Sequence, residues 1–142
     1  MIETYRPRRI GRSIAALLAG FAAVVVLSLG TDFTLHATRV FPPLGQPMSD
    51  ALFLLATAYR TVFSVVGSYI TARLAPDRPM QHALAGGVVG LVLSTVGAVV
   101  TWNKGPAFGP HWYPLSLIAT AMPSAWAGGR LAGAQLRVQP AP

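Results

Sequence analysis

The sequence predicts an all-α membrane protein, an antiparallel bundle of four transmembrane helices. Three observations lead there. Apolar runs of about 20 residues, the length that matches a hydrocarbon core of roughly 30 Å, recur four times along the chain. Charged residues make up only 11% of the 142 residues against 53% hydrophobic ones, where soluble domains carry about a quarter charged. Segments rich in proline separate the runs. Four carboxylates, on Glu3, Asp32, Asp50 and Asp77, are too few to solvate the surface of a globule this size.

The first run covers residues 13–30 and is open to continuation through 38. It follows a basic segment, 1–12, that carries Arg6, Arg8, Arg9 and Arg12. Basic residues before an apolar run also mark secretory signals, and Arg8-Arg9 is a twin-arginine pair. No small-residue cleavage pattern follows, however, and the run is long for a signal. It is expected to remain as the first helix. The second run, 51–72, contains one charge, Arg60. The third, 83–102, contains none, and the fourth, 113–131, has Arg130 at its end. Spanning β-strands alternate polar with apolar residues. Ala22-Ala23-Val24-Val25-Val26-Leu27 does not alternate, so the spans are helices.

The first connection holds Pro42, Pro43, Gly45 and Pro47, the second is Ala75-Pro76-Asp77-Arg78-Pro79, and the third is Lys104-Gly105-Pro106-Ala107-Phe108-Gly109-Pro110. Proline lacks the amide donor a helix interior needs. Connections this short make neighbours antiparallel, which gives one bundle domain over 13–132. The tail, 133–142, is expected to be a disordered cytoplasmic segment.

Orientation follows from the basic residues. Arg6, Arg8, Arg9, Arg12, Arg73, Arg78, Arg130 and Arg137 fall on one side of four alternating spans, and Arg39 and Lys104 on the other. The positive-inside rule puts both termini in the cytoplasm. Trp102, Phe108, Trp112 and Tyr113 then flank the outer interface, where amphipathic rings settle. A net charge of +7 raises nucleic acid as a partner. The charges are instead divided among helix ends and form no basic face, so no nucleic acid is expected. The partners implied are the lipid bilayer and other membrane subunits or a second copy.

Small residues recur every four positions along two spans. The third carries Gly86, Gly90, Ser94 and Ala98; the fourth carries Ser116, Thr120, Ser124, Gly128 and Ala132. In lipid such stripes allow close backbone approach, so the two are expected to meet each other, or one of them a second copy.

Arg60 is the residue with most to explain. It lies roughly 13 Å along the helix from Ala51, and a charge at that depth costs about 2.5 kcal/mol or more unless it finds a partner or water. Asp32 is the natural counter-ion, with His36 four residues on and on the same helical face. Asp50 is a second acid on the outer side. Arg60, Asp32 and His36 form the candidate polar intramembrane cluster, read either as a salt bridge that sets helix register or as an ion, proton or anion path.

Other chemistry finds little support. The chain has no cysteine, which excludes disulfides and thiolate sites. A haem needs axial ligands within the bundle, and of His36, His82 and His111 the last falls in a loop. Zinc lacks a third ligand. There is no nucleophile elbow, H-E-x-x-H or phosphate-cradling loop, so no cofactor, no metal and no catalytic residue is expected.

Residues 59–76, followed by Arg78-Pro79-Met80-Gln81-His82-Ala83-Leu84, together with Phe41-Pro42-Pro43-Leu44-Gly45-Gln46-Pro47 and Gly109-Pro110-His111-Trp112-Tyr113-Pro114, make the chain resemble small four-helix inner-membrane proteins of bacteria. The resemblance implies a bacterial source and transfers no site residues. Few polar groups and extensive small-residue faces suit helix contacts better than turnover, so the expected function is a non-enzymatic accessory or scaffold subunit of a membrane complex. The alternative is a small homo-oligomeric transporter or channel that uses the Arg60 cluster.

Overall fold

The computed structural model describes residues 7–139. Four helices follow one another: α1 (Pro7–Ala37), α2 (Asp50–Leu74), α3 (Pro79–Thr101) and α4 (Trp112–Val138), with a single 3₁₀ turn at Pro106–Phe108 before α4. There is no strand among the described residues. Pro7 and Pro79 open their helices, where the missing amide costs nothing because the first turn leaves its N–H groups unpaired anyway. Asp50 places a carboxylate in the first turn of α2, against the positive end of the helix dipole. Hydroxyls along the helices turn inward on their own backbone: Thr31 donates to Leu27 O, Thr95 to Leu91 O and Thr101 to Gly97 O, each at 2.8 Å. That leaves few polar groups seeking outside partners.

Two boundaries run past the apolar zones. α1 begins at Pro7 and continues to Ala37, so much of the basic segment is helical. α4 continues through Val138, which corrects the expectation of a disordered tail from residue 133. Its last turns are held by Ala132, which is fully buried, and by a hydrogen bond from the Tyr69 hydroxyl of α2 to Gln135. Arg137 also sits in the final turn, where the dipole favours a cation. Residues 1–6 and 140–142 lie outside the described residues.

α2 and α4 are the centre of the bundle. α2 packs on α1 and α4, and α4 packs on α2 and α3, whereas α1 meets α3 over a small area only. One end of the bundle gathers an ion pair between Arg9 and Asp77 at 3.6 Å and a 2.8 Å hydrogen bond between Ser13 and His82. The opposite end is aromatic. There Phe53 lies 4.9 Å from Tyr113, and His111 stacks on Trp102 at 4.1 Å.

The interior is made of small residues. Among the described residues, seven of the nine buried apolar residues are alanines, the others being Phe41 and Phe53, and no large side chain is fully buried. Thirty large apolar side chains of the described residues are exposed instead, among them Phe21, Val26, Leu29, Val92 and Val99. Water-soluble monomers rarely expose contiguous apolar surface on this scale. Here they form the outer surface.

Glycines set the crossings of α1 with α2, of α2 with α4 and of α3 with α4. Gly20 of α1 lies on Gly67 of α2. Gly128 of α4 faces Val65, Ser68 and Tyr69 of α2, while Gly129 faces Met80 and Ala83 of α3. Gly87 of α3 faces Ala125. The two small-residue stripes therefore do not meet as expected. The α4 stripe turns toward α2, with Ser116 3.3 Å from Thr57, and Gly86 of α3 turns toward Leu17 of α1. α3 meets α4 one position further round, through Ala83 and Gly87. A spacing of four identifies a face, but the rotation of the helix decides which neighbour that face meets.

Three helices are long and apolar enough to cross a membrane: Arg9–Ala37, Asp50–Leu74 and Pro79–Thr101. α4 is as long but less apolar, because Pro114, Ser116, Thr120, Pro123, Ser124, Gly128 and Gly129 dilute it.

Candidate functional site

The candidate site starts from two adjacent residues of α2 and one of α1. Arg60 donates from Nη2 to Asp32 Oδ2 at 2.5 Å. The Tyr59 hydroxyl donates to the other carboxylate oxygen, Oδ1. Asp32 is thus held on both oxygens from one helix. The α1–α2 crossing at Gly20 and Gly67 brings the two backbones close enough for these side chains to span the gap. Charge-assisted hydrogen bonds of this kind are short and strong. The pair is only partly enclosed, with the Arg60 side chain 32% exposed and Asp32 23%. The guanidinium also lies 5.9 Å from the centre of the Tyr59 ring, which adds a weak cation–π attraction.

His36 stands on the same helix but turns elsewhere. Its Nδ1 is 2.8 Å from Pro42 O, and its ring meets Phe41 edge-on at 5.4 Å. Phe41 is buried and donates its amide to Leu35 O at 3.0 Å. His36 therefore pins the first loop back on α1 through Phe41 and Pro42, while Asp32 faces α2. Asp50 sits exposed in the first turn of α2. His111 directly precedes α4, and its Nε2 lies 3.0 Å from Trp102 O at the end of α3. Three histidines thus bond to three different backbone or side-chain partners. Among the described residues, no three His, Asp or Glu side chains converge as a metal site would need.

A cleft of about 570 Å³ lies beside the ion pair and is bordered by all four helices. Its geometry follows from the packing. α1 leans on α2 along much of its length but touches α3 at few places, Ser13–His82 and Leu17–Gly86 among them. The gap between them is walled by Phe21, Val24 and Leu93, with Ser64, Ser94 and Thr120 adding hydroxyls. Arg60 contributes the one charged group of this lining. Its Nε is buried without a hydrogen-bond acceptor.

Of the residues singled out in the sequence, Arg60 and Asp32 are together and His36 is engaged with the loop. Gly86, Gly90, Ser94 and Thr120 line the cleft. Ser116 bonds Thr57 on α2, Ser124 and Gly128 are buried in the α4 interface, and Ala98 is buried on α3. The cleft itself left no mark in the sequence, because it depends on how far α1 stands from α3. The part played by Tyr59 had one available signal, its position next to Arg60, the one charge within the second apolar run. Comparison with family models, with curated proteins and with solved structures gives no match.

Proposed function

We propose that this chain is a four-span protein of the bacterial inner membrane, with both termini cytoplasmic, that acts as a non-enzymatic accessory or scaffold subunit through helix contacts. The observation that carries the reading is the inside-out distribution of side chains, small residues between helices and thirty large apolar ones on the surface. In lipid, helices associate by close packing of small residues rather than by hiding apolar surface, and large side chains face the tails. The same surface in water would be an aggregation site. The orientation rests on the end of the bundle that carries Arg9, Arg73, Arg78, Arg130 and Arg137. The bacterial source rests on the resemblance alone.

The polar interior supports a structural role. Asp32 is engaged on both oxygens by Tyr59 and Arg60, and His36 is occupied by the first loop, so these groups do not line up as a relay. A second reading, a small homo-oligomeric transporter or channel, draws on the cleft beside Arg60. Purification of the tagged chain in mild detergent separates the two. Other membrane proteins recovered at fixed stoichiometry support the accessory role. A homo-oligomer alone, with a flux that Arg60→Leu abolishes, supports transport and overturns the first reading.

A further inference from the structure

We infer that the cleft between α1 and α3 is a binding site for a neutral membrane lipid that carries a carbonyl-type hydrogen-bond acceptor on a long hydrocarbon tail. The inference rests on the chain residing in a bilayer. The walls set the tail. Leu17, Phe21, Val24 and Leu93 present hydrocarbon, and the volume of about 570 Å³ falls in the range of about 300–1,000 Å³ that small-molecule sites occupy. From Ile14 to Ser28 the lining of α1 extends about 21 Å by the helical rise. That suits a chain laid along the helix rather than a compact solute.

Arg60 sets the head. A guanidinium has five N–H donors. Asp32 takes Nη2, Nη1 is not buried and bonds no other described residue, and the side chain, 32% exposed, lines the cleft. A donor left unmatched in hydrocarbon is costly, so an acceptor is favoured there. The acceptor is neutral because Asp32, at 2.5 Å, already balances the charge and would repel a second anion. Entry is sideways. α1 and α3 are joined at one end by Ser13 and His82 and stand apart beyond Leu17 and Gly86, so a tail can enter from the surrounding lipid without the polar head crossing the bundle.

The test uses the full chain in lipid nanodiscs with two photoreactive probes of equal tail length, a long-chain ketone and an anionic phospholipid, mapped by mass spectrometry. Two variants accompany the wild type. A Cβ at Gly90 meets no atom within 4 Å and Gly90 lies in the cleft lining, so Gly90→Leu projects its side chain into open space at the site. Gly97 is equally open and is not part of the lining, so Gly97→Leu is the control. The ketone is expected to label cleft residues between Leu17 and Val24 in preference to the exterior, to lose that labelling in Gly90→Leu, and to keep it in Gly97→Leu. Labelling by the ketone that is spread over the exterior, or that survives Gly90→Leu, overturns the site while leaving membrane residence intact. Preference for the anionic probe overturns the neutral head. Absence of labelling anywhere on the chain contradicts membrane residence itself.

Discussion

A Cβ placed on Gly20 would come within 2.5 Å of the Gly67 carbonyl oxygen, and one placed on Gly67 within 2.7 Å of the Gly20 carbonyl oxygen. α1 and α2 therefore cross backbone to backbone at these two residues. Both obstacles are main-chain atoms, which cannot rotate away as a side chain can. Gly67→Leu is expected to lower stability by more than about 2 kcal/mol, at the upper end of overpacking costs. Gly97→Leu, in open space, should stay within about 0.5 kcal/mol of wild type. Denaturation in mixed micelles followed by circular dichroism measures both. Equal effects would mean that α1 does not pack on α2 at this crossing.

The ion pair makes a second prediction. Removing one partner leaves the other charged and unmatched, which costs about 3–5 kcal/mol when the pair is fully buried. Asp32 and Arg60 keep roughly a quarter to a third of their exposure, so Asp32→Asn and Arg60→Leu should each cost about 2 kcal/mol. The double variant should cost much less than the sum. A double-mutant cycle in the same micelles reports the coupling, and strict additivity would show that the two groups do not interact.

Tyr59→Phe removes one of two donors to Asp32 and leaves the ring in place. A hydrogen bond to a charged group contributes about 1.5–3 kcal/mol, and the partial exposure of Asp32 places the expected loss near the lower figure. In the Asp32→Asn background the effect of Tyr59→Phe should shrink. An undiminished effect would assign the Tyr59 hydroxyl to another partner.

How much of this was open to sequence reasoning depends on the interaction. The helices were legible because a span must be apolar over a fixed length, and their ends were not, because a helix can continue past the apolar zone once Tyr69 and Gln135 hold it. Arg60 with Asp32 could be proposed because a deep charge has few available counter-ions. Gly20 and Gly67 escaped notice since each is a lone glycine among larger residues, and a crossing point leaves no repeating stripe. The stripes on α3 and α4 were visible, but the rotation that turns Gly128 toward α2 and Gly86 toward α1 is a property of the assembled bundle. The loop that captures His36 was hidden for a similar reason. Nothing local announces that Phe41 and Pro42 fold back on α1.

The third connection carries a fourth prediction. Gly109 has φ of +94°, and a Cβ there would also meet the Phe53 ring at 2.6 Å. Gly45 has φ of +84° with nothing within 4 Å. Gly45→Ala should cost about 1 kcal/mol from backbone strain alone, and Gly109→Ala about 2–3 kcal/mol because the contact adds to the strain. Comparison of the two midpoints checks the order. Equal midpoints would remove Phe53 from the explanation.

The central claim is that all four helices cross a bilayer, and α4 is its weakest point because α4 is the least apolar. Ser124, Ala125, Gly128, Gly129 and Ala132 of α4 are buried in the bundle, where small residues suffice. The chain contains no cysteine, so single cysteines can be introduced without background. Labelling Lys104→Cys and Gln139→Cys with an impermeant maleimide in intact cells, before and after permeabilisation, tests the claim most directly. Four spans predict that Lys104→Cys reacts in intact cells and that Gln139→Cys reacts only after permeabilisation. Reaction of Gln139→Cys in intact cells alongside Lys104→Cys would show that α4 does not cross.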